Sequence, residues 1–503
     1  MLNKQAFPTA SENRAVIVGG GMAGLLTALR LAKKGLEVTV VEKNSQFGGC
    51  FGRLPSGTPI TCFTPLGLEH RGSINQLLSE PETATVPYVR KELSDIVILP
   101  HAMVELPGSL AEFQRVLTAR YPAQAEPLNR FCTLLTQVHA AISAGSALGT
   151  NPVERTRARQ LLHSLAGRTY RSLLSEMFSS AELRALLSVR AFSSKNSALT
   201  MLAYLAKILV DGLYGITGNI PALADRIVAE LDNSPACTLL PRRAVTEILF
   251  DEEKRANGVR LDNGGVIAGR VVLNVDPNHA CEQLIREESV RKHIGSAIAG
   301  YPSSLSAVTL IFSVTADLGR ELMRHVRSAR IFHCDAADPF DVLVRREHGA
   351  LDTAAFKINF DTDGSSEVRR VYVELDCSIK AADFATMYGD EKRALDGVIG
   401  HIGTRLRRLE PGILDGITSV EVVTPYLLAL ITNNRMGASS GFADLPGGLR
   451  ELDHRLSQHG LLQVGQWSSF GSGLSQLESS AVAAYGSLAR HSQLSTVRAR
   501  NLA

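Results

Sequence analysis

Residues 15–49 read AVIVGGGMAGLLTALRLAKKGLEVTVVEKNSQFGG, and every part of that stretch has one job in a strand–helix–strand unit. Ala15 to Val18 are apolar in an unbroken run, as a strand buried on both faces requires. Gly19 to Gly24 then spell G-x-G-x-x-G where the strand must turn into a helix. Gly19 permits the tight turn, Gly21 keeps the backbone bare for a close-lying diphosphate, and Gly24 lets helix and strand pack together. Met22 and Ala23 fall on the first helical turn, whose free N–H groups and positive dipole end suit an anion. Leu25, Leu26, Leu29 and Ala32 form an apolar helix face, Lys33 and Lys34 suit its C-terminal end, and Gly35 caps it. Val38 to Val41 give the second strand. Glu42 ends it 18 residues after Gly24, about where an acid takes ribose hydroxyls in a dinucleotide site.

The continuation narrows the dinucleotide. Glu42-Lys43, four residues, then Gly48-Gly49 resembles the E-K-x-x-x-x-G-G extension of glutathione-reductase-type flavoproteins, which implies FAD. Near the other end, Gly460 to Trp467 reads as a short strand and turn, followed by Gly471-Ser472-Gly473-Leu474 and a helix from Gln476 to Arg490. This is similar to the C-terminal FAD motif of the phytoene desaturase and carotenoid isomerase family. Weaker likenesses to that family lie at Ser109–Leu135, Gly212–Pro221, the Ala244–Asn274 hairpin region, Thr424-Pro425 and Asn434–Ala438. The resemblance implies an α/β protein in which a glutathione-reductase-type FAD-binding Rossmann domain is interleaved with an α+β substrate or cap domain. It implies cofactor contacts at Gly19, Gly21, Met22, Ala23, Gly24, Glu42, Lys43, Gly48, Gly49, Arg53, Val245 (whose backbone holds the adenine in relatives), Gly465, Gln466, Trp467, Gly473 and Leu474. There are departures. Cys50 stands where relatives carry an arginine after the glycine pair, the next arginine being Arg53; Thr61–Gly67 lacks the usual F-D-x-G; and the last glycine motif lacks its common proline.

The chain has 503 residues, 45% of them apolar, and a net charge of +3, which offers no general case for nucleic acid. Periodicity divides it into FAD-binding segments at 11–80, 216–285 and 421–503, a mostly helical cap at 85–215, and a substrate-domain sheet at 290–420. Seven scattered cysteines without C-x-x-C point to a reducing compartment, with neither disulfides nor zinc. Thirteen spread histidines give no metal spacing. Residues 1–13 lack the apolar core of a signal peptide, so a cytoplasmic protein is expected, with contact to one membrane face left open.

Two cap stretches bear on this. Arg155, Arg157, Arg159, Arg168 and Arg171 form a solvated helix or a dock for an anionic surface or acidic carrier. Ser197–Tyr214 is apolar enough for core packing, for a cavity wall or for a helix that dips into a membrane. Trp467, the lone tryptophan, is either a core aromatic or a neighbour of the flavin ring, and Glu478 faces the surface or caps a neighbour.

No catalytic side chain is singled out. The resemblance implies desaturation of a hydrophobic polyene or ring-containing substrate, free or carrier-bound, by hydride transfer to flavin N5, the electrons leaving to oxygen, a quinone or another acceptor. The alternatives are a polyene isomerase or saturase, a flavin amine oxidase, and a non-redox binder of prenylated proteins on the same scaffold, like the Rab GDP-dissociation inhibitors.

Overall fold

The computed structural model describes residues 13–62, 88–146, 151–216, 220–362, 365–378, 391–443, 449–471, 473 and 476–488. Leu474, Phe63–Gly67 and the start of the 11–80 segment lie outside them.

The opening stretch folds as its pattern requires. Strand β1 (Arg14–Val18) runs into helix α1 (Met22–Ala32), which returns to strand β2 (Glu37–Glu42). Ten of the eleven α1 residues are buried. Its four leucines alone contribute about 1.5–3 kcal/mol each on burial. β1 and β2 pair in parallel at the centre of a five-stranded sheet ordered Leu461–Gln463, Arg270–Leu273, β1, β2, Cys237–Pro241. Strands far apart in the chain therefore build one Rossmann-like layer. Helix Ile220–Asp232 and the helical residues 476–488 cover one face beside α1, through Leu223, Ile227, Leu477 and Ala481. A three-stranded antiparallel sheet (Val245–Phe250, Ala256–Leu261, Val266–Ala268) lies against the other face.

The second layer is a seven-stranded mixed sheet, ordered Ile417–Val423, Ser306–Val314, Arg370–Cys377, Ala355–Asp361, Ser328–Cys334, Leu93–Ile98, Met103–Pro107. The last two strands lie in the stretch read from its sequence as mostly helical. LSDIVI is buried at all six positions and pairs in parallel with Ser328–Cys334. A short run like this carries no alternation to mark it as a strand. Helices Leu110–Arg120, Ala125–Ser146, Pro152–Ala166, Tyr170–Met177, Ala181–Ser188 and Ala198–Ala206 pack over one end of this sheet. Met201, Leu202, Leu205, Ile208, Leu209 and Leu213 are all buried in that core, so Ser197–Tyr214 is packing rather than exposed apolar surface. Arg155, Arg157 and Arg159 project into solvent, whereas Arg168 pairs with Glu176 and Arg171 with Asp338 and Asp341. Among the described residues no helix is long and apolar enough to cross a membrane.

Candidate functional site

The two glycine segments stack on each other. Gly19 turns at φ 101° with its N–H on the Val41 carbonyl (2.9 Å), and Gly48 (φ 112°) donates to the Gly20 carbonyl at 2.8 Å. A Cβ on Gly24 would fall 2.4 Å from the Gly19 carbonyl oxygen, so only glycine allows α1 to lie this close to the loop. No side chain caps α1, whose N-cap is Gly21 and whose first turn carries no acid. Its N–H groups are thus left for an anionic ligand.

These loops open on a groove with a cavity volume of about 150 Å³. Of the residues singled out from the sequence, Gly19, Gly21, Met22, Ala23, Glu42, Lys43, Gly48, Gly49, Val245, Gly465, Gln466 and Trp467 line it. Gly24 lies beneath it as a packing contact. Arg53 is turned away to an ion pair with Asp225 (2.7 Å), and Gly473 (φ 107°) stands off the lining.

Glu42 is buried at the end of β2, where Oε2 accepts from Gly20 N–H and Oε1 from Asn44 N–H, both at 2.8 Å. Burial raises its pKa, against the lowering by these two backbone bonds. Each oxygen keeps a further lone pair for a ligand hydroxyl. Lys43 reaches the Leu430 carbonyl (2.7 Å) and Asn433 Oδ1 (2.5 Å), tying β2 to helix Pro425–Thr432. Burial lowers its pKa.

At the opposite end, Trp467 is both a core aromatic and a wall of the groove. It is 2% exposed, meets Phe442 edge-on at 5.0 Å, and donates from Nε1 to Asn434 Oδ1 at 3.0 Å. The Asn434–Ala438 segment is in turn held by Asp276, whose Oδ2 accepts from Arg435 N–H at 2.6 Å. Cys50 also lines the groove; burial pushes its thiol up to about 11.

Asn274, His279 and Asn433 were not legible as site residues. Asn274 donates to the Gly19 carbonyl (3.0 Å), and a Cβ on Gly24 or Gly465 would fall 2.7 Å from its amide. It therefore wedges the first glycine loop against the C-terminal turn. His279 Nε2 meets Asn433 Nδ2 at 3.2 Å, and burial and then Lys43 lower its pKa. Glu478, expected at the surface or as a cap, is instead buried and paired with Arg30 at 3.0 Å, because residues 476–488 pack along α1.

Comparison with known proteins agrees with this geometry. Residues 17–58 match the family model described as an NAD(P)-binding Rossmann-like domain. Hydroxyneurosporene desaturase of Rubrivivax gelatinosus is 26% identical over 354 residues, 66% of each chain. All-trans-retinol 13,14-reductase of Macaca fascicularis is 25% identical over 289 residues, 52% of this chain and 47% of that one. The neurosporene-forming phytoene desaturase of Rhodobacter capsulatus is 24% identical over 55% of each. The chain thus spans between about half and just under two thirds of the length of these relatives. Among solved structures, cyclohexylamine oxidase from Brevibacterium oxydans superposes with a TM-score of 0.61 at 14% identity, covering 97% of this chain and all of that one. An oxidoreductase from Methanosarcina mazei gives 0.57 at 13%, covering 94% and 100%. At such identities these two establish the shared fold alone. The glycine loops and the acid that ends β2 thus sit in a Rossmann-like domain, in a chain similar at 24–26% identity to hydroxyneurosporene and phytoene desaturases and to a retinol reductase.

Proposed function

We propose that this chain is an FAD-dependent oxidoreductase that desaturates an apolar, unsaturated substrate. The observation that carries the reading is the groove itself, which joins two glycine loops, a buried acid and a C-terminal glycine turn along the end of one parallel sheet. The residues fit FAD. The uncapped start of α1 and the bare backbone of Gly19, Gly21, Gly48 and Gly49 suit a diphosphate. Glu42 suits ribose hydroxyls, and Val245, at the start of its strand and on the groove lining, suits an adenine by its backbone.

FAD held there would supply two-electron chemistry, taking a hydride from a C–H bond as solvent takes the proton from the neighbouring carbon and a C=C bond forms. The chain's part is to orient the substrate and exclude water. Leu54, Ile60, Ile311, Tyr372 and Leu428 form a buried apolar cluster that packs the glycine-pair segment against the seven-stranded sheet. The thiol of Cys50, raised by burial to about 11, adds no charge to the groove it lines.

The retinol reductase among the relatives favours a second reading, saturation of a polyene, on the same site. Anaerobic mixing of the oxidised protein with polyenes, cyclic alkenes and amines tests both. Bleaching of the flavin band by a polyene or alkene with a desaturated product supports the proposal. Bleaching by amines alone refutes it, and polyene reduction by pre-reduced protein alone favours saturation.

A further inference from the structure

The strands of the seven-stranded sheet alternate, but both faces are covered. Val371, Val373, Leu375, Phe356 and Ile358 fill an apolar core on one side. On the other, the same strands carry Arg370, Tyr372, Glu374 and Asp376, and Lys357, Asn359 and Asp361. Four carboxylates of this layer already have a cation, and Glu421, on the same face, accepts from the Thr58 hydroxyl. Asp95 pairs with Arg190 at 2.6 Å, Glu374 and Asp376 share Lys357 at 2.7 Å each, and Asp361 holds Arg370 at 2.9 Å.

Two groups are left over. The half-buried Arg330 guanidinium has no hydrogen-bond or ion-pair partner among the described residues. Glu374, which feels its charge, is already bonded to Lys357. Asn359 is 5% exposed, yet neither its Oδ1 nor its Nδ2 has a partner. A buried amide with all its bonds unmade costs stability, and folded proteins seldom keep one without a use.

The two belong together. Arg330 and Asn359 are the next residues beyond the last ladder pair, Ile331–Ile358, and both share the face of Phe332 and Lys357. Tyr372, opposite Asn359 in the ladder, bonds the Pro59 carbonyl on the segment that leads back to the cofactor groove. The cap closes the other side, where Arg190 lies over the Phe332 ring and meets Tyr204.

We propose that Arg330 and Asn359 form a head-group subsite for a carboxylate at one end of an otherwise apolar substrate. A guanidinium and an amide N–H both donate to carboxylate oxygens, and burial strengthens such charge-assisted bonds. Asn359 Oδ1 then accepts from a hydroxyl or amide N–H next to the acid. This rests on the oxidoreductase reading only in making the ligand a substrate.

The test is equilibrium binding of radiolabelled all-trans-retinoic acid, all-trans-retinol, hexadecanoic acid and hexadecanol to the holoprotein. Wild type binds each acid at least about tenfold tighter than its alcohol, a 2-hydroxy acid binds tighter still, and Arg330→Gln brings the acid-to-alcohol ratio near one with cofactor content unchanged. Arg330→Lys restores part of the preference. Arg330 has no hydrogen-bond or ion-pair partner among the described residues, so Arg330→Gln breaks no such contact there, and an unchanged melting temperature checks that it folds. Asn359→Leu, which removes the orphaned amide, raises Tm by about 1–3 °C while weakening acid binding. Equal affinity for acid and alcohol, a preference that survives Arg330→Gln, or no binding of any acid overturns the proposal. Acid binding without bleaching of the flavin sinks the desaturase reading and leaves the subsite standing; bleaching by polyenes without acid preference does the reverse.

Discussion

Replacing Asn274 by aspartate keeps the shape of the wedge between the glycine loop and the C-terminal turn but swaps its donor for an acceptor. The Nδ2 bond to the Gly19 carbonyl, 3.0 Å long, is lost, and a carboxylate oxygen then faces that carbonyl. A lost bond costs about 0.5–1.5 kcal/mol and an unsatisfied buried group about 1–3 kcal/mol, so about 2 kcal/mol is expected. If the loop geometry is what holds the cofactor, that loss appears in the FAD dissociation constant as about a 30-fold weakening. Asn274→Ala, which loses the bond without the opposed charge, falls between wild type and Asn274→Asp. Flavin fluorescence titration of the stripped proteins measures all three. Equal affinities, or alanine worse than aspartate, refute the assignment of Asn274 as the wedge.

Burial raises the Asp453 carboxyl from its ordinary 3.8 to about 6. An acid whose folded pKa is raised binds protons better in the folded state, so its contribution is lost as pH rises through about 4 to 6. Asp453→Asn therefore raises Tm above about pH 6 and leaves it unchanged near pH 4; a uniform shift at all pH values rejects this. The Asp95–Arg190 pair is 4% exposed on both side chains. Arg190→Met strands the carboxylate and costs about 3–5 kcal/mol in denaturant melts, and adding Asp95→Leu recovers most of it. Failure of the second change to rescue assigns the loss to packing instead. Cys50 lies in the groove with its thiol raised to about 11. Iodoacetamide labelling at pH 8 is slow, climbs towards pH 11, and is faster after FAD is stripped; fast labelling at pH 8 in the holoprotein contradicts its burial under the cofactor.

The dinucleotide unit was legible because its physics is local. Gly19, Gly21 and Gly24 must be glycine for reasons a turn and a close helix impose, and an apolar run on either side reads as buried strand. The acid and second glycine pair follow in the same stretch. Leu93–Ile98 hid because its parallel partner, Ser328–Cys334, is remote in sequence and burial on both faces erases alternation. Asn274, His279 and Asn433 carry no spacing signal; their place depends on three remote segments meeting at one sheet end. Lys357, Asn359, Glu374 and Asp376 alternate with apolar residues, a pattern that marks strands but carries no sign that the opposite face is buried as well.

The measurement that bears most directly on the account is the visible spectrum of the purified protein, followed by denaturation and identification of what is released. The account predicts a flavin spectrum and stoichiometric FAD in the supernatant. A colourless protein that also fails to take up added FAD contradicts it and favours a non-redox binder on the same scaffold.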